Sequence, residues 1–369
     1  MKYLSKFLCS LIATCTIGSI FAGWLIKGPV HKMPPHRVPI FYTNKYNIGL
    51  LGIEKLHPFD TKKFKKAHQH IQKWLSTNYT NSSINWYFTS PVTNPVSNED
   101  LRKVHTDKYL KSLYKSSTLA NITGIGPLHL VPNFILRKAL LKPMGYATQG
   151  SILASQEALK KGWAVNLGGG YHHARNHKGD GFCVYSDIPL AIKKLWERNP
   201  ELTVMIIDTD AHQGDGHEYS LKVHENFNDK VYIFDIYNEH AYPRAHGLKK
   251  HIDCDVPVAN GTATEEYLNT LQNNLDHAFK TFRKNSKNKP DLIIYNAGTD
   301  PYEKDQLGGL NVSFDGMIKR DEMVFKKALD NNIPIAMLTS GGYSSDSWKL
   351  IAESVENVIE TFDLLSTNK

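Results

Sequence analysis

Four segments of this 369-residue chain run from a β-branched apolar stretch directly into polar, glycine-rich residues. They are WAVNLGGGYHHARNHKGDGF (163–182), TVMIIDTDAHQGDGHE (203–218), LIIYNAGTDP (292–301) and IPIAMLTSGGY (333–343). Each apolar stretch reads as a buried parallel strand, and each polar cluster begins where that strand ends. In open α/β sheets, ligands bind just outside the carboxyl ends of the strands. Clusters more than a hundred residues apart in sequence are therefore expected to meet in one crevice.

The remaining pattern supports that frame. Further strands are predicted at VPIFYT (38–43) and VYIFDI (231–236), and helical spacing covers 60–76, 99–116, 147–161, 187–197, 264–283, 314–330 and 346–365. Such alternation predicts an α/β fold with a central, mostly parallel sheet covered by helices on both faces. It forms a single domain over 38–369, with 78–98 as a surface loop and the Pro-rich 28–37 as a linker. The net charge of +8 comes from dispersed lysines, with Lys62, Lys63, Lys65 and Lys66 read as a solvated helix face. No basic stripe is interleaved with aromatics, so direct nucleic-acid binding is not inferred. Cys183 and Cys254, the cysteines of the body, form neither a disulfide framework nor a CxxC zinc pattern.

Residues 7–26 hold twenty uncharged, mostly apolar positions between Lys6 and Lys27, just enough to span a bilayer. Residues 1–27 are expected to be a membrane anchor with the catalytic domain facing the cytoplasm. If they are instead a cleaved signal, the protein is exported. Nothing in the sequence fixes the oligomeric state.

The chemistry begins with Asp208-Thr209-Asp210-Ala211-His212. Asp210 and His212, two apart on extended backbone, point the same way. A carboxylate oxygen and an imidazole nitrogen suit zinc, which in catalytic sites takes three protein ligands and keeps one open position. Asp300, at the end of a neighbouring strand, supplies the third ligand. An Asp at a strand end often merely caps the next helix; three converging ligands make that reading weak. His172 and His173 follow three glycines and suit general acid–base work, each wanting a carboxylate to fix its tautomer. Asp208 and Asp215 are the candidates for that role. Tyr343, after Gly341-Gly342, offers a phenol to the oxyanion of a tetrahedral intermediate.

Taken together, GGGYHHARNHKGDGFCVYSD, IIDTDAHQGDGHE, YNAGTDPYEKDQLGGL and TSGGY resemble the zinc-dependent histone deacetylases. The wording of DAHQG, GHE and VYIFDIYNEHAYP is similar to the class IV branch. The resemblance runs from His57-Pro58-Phe59-Asp60 to about residue 360. It implies an arginase-like α/β fold and hydrolysis of N-acyl-lysine in proteins or peptides. It implies zinc on Asp210, His212 and Asp300, with His172 and His173 as the paired histidines backed by Asp208 and Asp215, and Tyr343 polarising the acyl carbonyl. It further implies that the Gly181 carbonyl accepts the substrate amide, that Phe182 and Tyr242 line a tunnel around the lysine stem, and that potassium binds near Asp208, Asp210, His212 and Asp235-Ile236. The sequence departs from the family at Arg244, after Pro243, and in the apolar segment 7–26.

Three rivals compete. A binuclear manganese ureohydrolase would need carboxylate ligands where this chain has Gly214 and Tyr302. An acetylpolyamine amidohydrolase would use the same site with an acidic gatekeeper, which Glu239 could supply. An inactive binding module would keep the fold without turnover.

Overall fold

The computed structural model describes residues 37–50, 52–79 and 89–366. Its centre is an eight-stranded, all-parallel sheet of order β2-β1-β3-β8-β7-β4-β5-β6. The strands are β1 Val38–Tyr42, β2 Thr89–Pro91, β3 Trp163–Asn166, β4 Val204–Asp208, β5 Val231–Asn238, β6 Cys254–Val258, β7 Leu292–Asn296 and β8 Ile335–Leu338. The four strands that carry the polar clusters, β3, β8, β7 and β4, are consecutive neighbours. Asn166 pairs with Leu338, Leu338 with Asn296, and Asn296 with Asp208, so all four clusters leave the sheet at one level. β3 and β4 follow one another in the chain but are separated by β8 and β7, which makes this edge the switch point where a crevice opens.

Every residue of β3, β4, β7 and β8 is buried, as expected of strands covered on both faces. The covering helices are α1 Lys62–Asn78, α2 Lys142–Lys161, α3 Asp187–Trp196, α4 Thr264–Thr281, α5 Phe314–Asp330 and α6 Ser347–Thr361. They form two groups: α1 packs on α6, α6 on α5 and α5 on α4, while α2 packs on α3 and on β1, β3 and β8.

Three local expectations are corrected. The helix expected over 99–116 is two short ones, Asn98–Leu101 and Asp107–Ser112, the second started by Thr106, whose hydroxyl accepts the Tyr109 N–H. The loop expected over 78–98 contains the edge strand β2. β6 was not anticipated, because CDVPV carries a proline and alternates buried with exposed residues, a pattern only an edge strand tolerates. The expectation of a membrane anchor is also corrected: among the described residues no helix is long and apolar enough to cross a membrane. Residues 7–26, on which it rested, lie outside the described residues.

Candidate active site

At the carboxyl edge of β4 and β7 the chain leaves the ladder, and Asp210, His212 and Asp300 turn toward one point. Their ligand atoms all lie within 4.8 Å of one another, and all three residues are buried. Nδ1 of His212 is 3.1 Å from an oxygen of Asp210 and 3.1 Å from one of Asp300. Two carboxylates packed this closely repel. Burial, with Asp210 adding to it, raises the Asp300 carboxyl to about 7. Burial opposes charge on His212, yet the two carboxylates outweigh it and hold the imidazole well above its ordinary value. Two oxygens and one nitrogen, buried and frustrated without a cation, fit a zinc ion. The backbone is shaped to this cluster. A Cβ on Gly341 would stand 2.2 Å from Asp210 Oδ2 and 2.4 Å from Asp300 Oδ2, so only glycine fits there.

The turn after β3 is built by Asp187 at the start of α3, whose carboxylate accepts the N–H groups of Gly170 (2.8 Å) and Tyr171 (2.8 Å). It presents His172 and His173 with ring centroids 4.1 Å apart. Nδ1 of His172 lies 2.9 Å from Asp208, and Nδ1 of His173 lies 2.8 Å from Asp215. The expected carboxylate pairing is therefore present, and Nε2 of His172 lies 3.7 Å from Asp210. The two pairs differ in their second partners. Asp208 is supported by a neutral donor, the Asn296 side-chain amide at 2.9 Å. Asp215 also receives Arg175, whose Nη2 is 2.6 Å away. Burial depresses both imidazoles, but Asp208 and Asp210 overcome it for His172 and raise it to about 9. For His173, burial and the neighbouring His172 prevail over Asp215, and the ring is held below its ordinary value.

Tyr343 stands edge-on to His212, ring centroids 5.9 Å apart. Burial, then Asp300 and Asp210, push its phenol well above the usual range, so it stays a donor. The turn that carries it is braced from both sides. Lys63, read from sequence as part of a solvated face, is buried, and its ammonium donates to the carbonyls of Ser340 (3.0 Å), Gly341 (2.6 Å) and Gly342 (2.9 Å). Asp305 accepts the Tyr343 N–H at 2.6 Å.

A narrow cavity reaches this cluster, lined among others by Phe59, His173, Phe182 and Tyr343. Phe59 and Phe182 rings lie 5.0 Å apart, and His57 stacks on Phe182 at 4.7 Å. Gly181 sits between His173 and Tyr242, with φ +50°, and Phe182 is itself left-handed at φ 64°. A non-glycine residue held there stores strain of a kind that clusters at functional sites. Tyr242 packs edge-on to His173 at 5.0 Å and remains 43% exposed. Glu239 is not among the lining residues.

Sequence reasoning missed His57, Phe59, Lys63, Arg175, Asn296, Asp187 and Asp305 as parts of the site. His57-Pro58-Phe59-Asp60 offered a signal as the start of the resemblance. The others are common polar residues whose partners lie far along the chain.

A parallel α/β sheet with a buried Asp-His-Asp cluster and carboxylate-backed histidines at its carboxyl edge defines the arginase/deacetylase class. Within that class, the histone deacetylase domain model matches residues 57–361, and the chain belongs to this family. It is similar to Histone deacetylase 2 of Arabidopsis thaliana, 42% identical over 88% of this chain and 80% of that one. Histone deacetylase clr6 of Schizosaccharomyces pombe is 27% identical over 84% of this chain and 73% of its own length. The solved HDA15 HD domain superposes with a TM-score of 0.65 over 89% of this chain and 91% of that chain; at 17% identity this speaks to the fold alone.

Proposed function

We propose that the protein is a zinc-dependent lysine deacetylase that hydrolyses the amide of N-acetyl-lysine in protein substrates. Within the family the DAHQG and GHE wording favours the class IV branch. The observation that carries the proposal is the pairing of a buried Asp210–His212–Asp300 cluster with two adjacent buried histidines, each backed at Nδ1 by its own carboxylate.

Asp210, His212 and Asp300 would hold the zinc, which when bound would supply Lewis acidity to the acyl carbonyl and to a water. The protein's own groups do the rest. Neutral His173 takes the proton of the attacking water through Nε2, oriented by Asp215. The Tyr343 hydroxyl donates to the oxygen that becomes negative, where a fixed donor is worth most. His172, kept charged by Asp208, adds positive potential beside that oxygen. When the C–N bond breaks, the proton held on His173 passes to the departing lysine amine. Phe59 and Phe182 pack along the lysine stem and exclude water. The Gly181 carbonyl, on its left-handed turn beside Tyr242, accepts the substrate amide N–H. We also assign potassium to the Asp208–Asp235 region, supported by buried carboxylate oxygens of Asp235 and Glu218 that have no hydrogen-bond partner.

The test is turnover by the full chain of an acetyl-lysine peptide, a myristoyl-lysine peptide and N-acetylputrescine, with zinc quantified. Peptide turnover supports the proposal and sets the acyl preference. Faster N-acetylputrescine cleavage would move the reading to polyamines. Stoichiometric zinc with no turnover on any of them would point to a binding module.

The split between the histidines gives a pH prediction. Arg175 holds part of Asp215's charge away from His173. In Arg175→Gln the freed carboxylate stabilises the imidazolium, so the pKa of His173 rises. A protonated base is inactive, and the acid limb of kcat/KM is therefore expected to move to higher pH. A limb that stays in place or moves down would remove His173 from the role of base.

A further inference from the structure

We infer that Arg320 is a positioning residue for the metal centre, clamping together the two loops that carry Asp210 and Asp300. The inference rests on the reading that these residues hold zinc. β4 and β7 pair in register as far as Asp208 and Asn296, and one more ladder bond runs from Thr209 N–H to the Asn296 carbonyl at 3.0 Å. Beyond that point the strands part to make room for the ligands. The next carbonyls, of Thr209 and Gly298, lose the partners a continued ladder would have given them, and a buried carbonyl must be paired.

Arg320 takes them both. Its Nη1 donates to Gly298 O at 2.5 Å and to Thr209 O at 3.3 Å. One loop is thus held one residue before Asp210 and the other two residues before Asp300. The guanidinium reaches this place from α5 and is completely buried. Its own orientation is fixed by Asp321, 2.8 Å from Nε, and Asp321 also accepts from Tyr295 OH. Tyr295 in turn lies 3.2 Å from the Thr209 hydroxyl, closing the network onto the loop it supports. A buried charge carries a large desolvation cost and persists where its donors are used. The planar guanidinium lets Nη1 take both carbonyls while Nε and Nη2, on the same rigid fork, are held by Asp321, so the donor is aimed by a second contact that a lysine ammonium lacks. The gap between the loops matters because Gly298 lies directly against Asp210: a Cβ there would be 2.2 Å from Oδ2. A shift of Gly298 therefore shifts a ligand.

The test measures metal affinity. The full chain, freed of metal by a chelator, is titrated with zinc, and with cobalt(II) to read coordination geometry from its visible spectrum. Arg320→Lys keeps the charge but lacks the Nε and Nη2 groups that Asp321 holds, so its ammonium is no longer oriented onto both carbonyls. Arg320→Met/Asp321→Leu removes both charges, so no unmatched ion remains in the interior. Groups that orient metal ligands typically change affinity ~10–100-fold when removed, and a zinc Kd weakened by that factor is expected in both variants. The cobalt spectrum is also expected to change, while the metal-free far-UV circular dichroism stays that of the wild type. A folded variant with wild-type Kd and an unchanged cobalt spectrum would overturn the inference. So would failure of both variants to fold with zinc at saturation, since Arg320 would then belong to the core and not to the metal centre. Asp210→Asn in the same titration separates the two readings: if it binds zinc as tightly as the wild type, the assignment of the ligands is what fails.

Discussion

Asp210→Asn is expected to lose stoichiometric zinc and to lower kcat/KM by at least ~10³, about 4 kcal/mol at ~1.4 kcal/mol per decade. The carboxylate is one of three converging ligands, and its surroundings are built for an anion. Oδ2 accepts the Ser340 hydroxyl at 3.1 Å and the Gly341 N–H at 3.2 Å, and Oδ1 accepts the His212 N–H at 3.1 Å. An amide NH₂ turned toward either set meets donors with a donor, and a buried mismatch of that kind costs roughly 1–3 kcal/mol. The same substitution removes one of two repelling carboxylates, a repulsion that adds to burial in raising Asp300 to about 7. The mismatch and the loss of the anion that His172 and His212 stabilise outweigh that relief, so the metal-free variant is expected to melt below the metal-free wild type. Its stabilisation by added zinc, which scales as RT ln(1 + [L]/Kd), should vanish. Zinc analysis beside thermal melts with and without zinc checks both halves. Full zinc content with normal turnover would mean that the metal lies elsewhere.

Tyr343→Phe carries the second large effect. Loss of one oxyanion donor typically lowers kcat by ~10²–10³, roughly 2.7–4 kcal/mol, and such a fall is expected here with zinc content unchanged and KM little altered. Ring packing against His212 and Phe59 survives the change, so the loss isolates the hydroxyl. Lys63→Met should copy the signature in a milder form, because Lys63 holds the carbonyls of the Tyr343 turn without touching the oxyanion donor's hydroxyl. Burial pulls the Lys63 ammonium down to about 8 against the support of Asp300, Asp305, Asp210 and Asp60. The charged form holds the turn below that pH. Above it, an uncharged amine has two N–H groups for three carbonyls. An alkaline fall in kcat that is present in the wild type and absent in Lys63→Met is the expected result. An unchanged limb would assign that titration to another group.

Much of the site was legible because its residues sit where strands end. Four apolar runs of four to five residues, each breaking into Gly, Asp or His, place Asp210, His212, Asp300, His172, His173 and Tyr343 at one edge of any parallel sheet that aligns them. The sheet supplied the alignment, with β3, β8, β7 and β4 adjacent and in register. The strands missed were β2 and β6, at the two edges, where half-solvated backbone relaxes the apolar pattern on which strand recognition depends.

The sequence by itself determined which chemical groups are present and at which end of the sheet they emerge, because strand burial and the period of the backbone are local properties. Only the tertiary structure decided what those groups do to one another. His172 and His173 are adjacent and identical in type, yet one is raised to about 9 and the other lowered: burial opposes charge on both, Asp208 and Asp210 overcome it at His172, and at His173 burial and the neighbouring His172 prevail over Asp215. Four lysines between 62 and 66 look alike in the sequence, and one of them is buried beneath the Tyr343 turn, 277 to 279 positions away along the chain. Charge, pKa and hydrogen bonding are set by atoms within a few ångströms in space, and those neighbours are fixed only when the sheet closes.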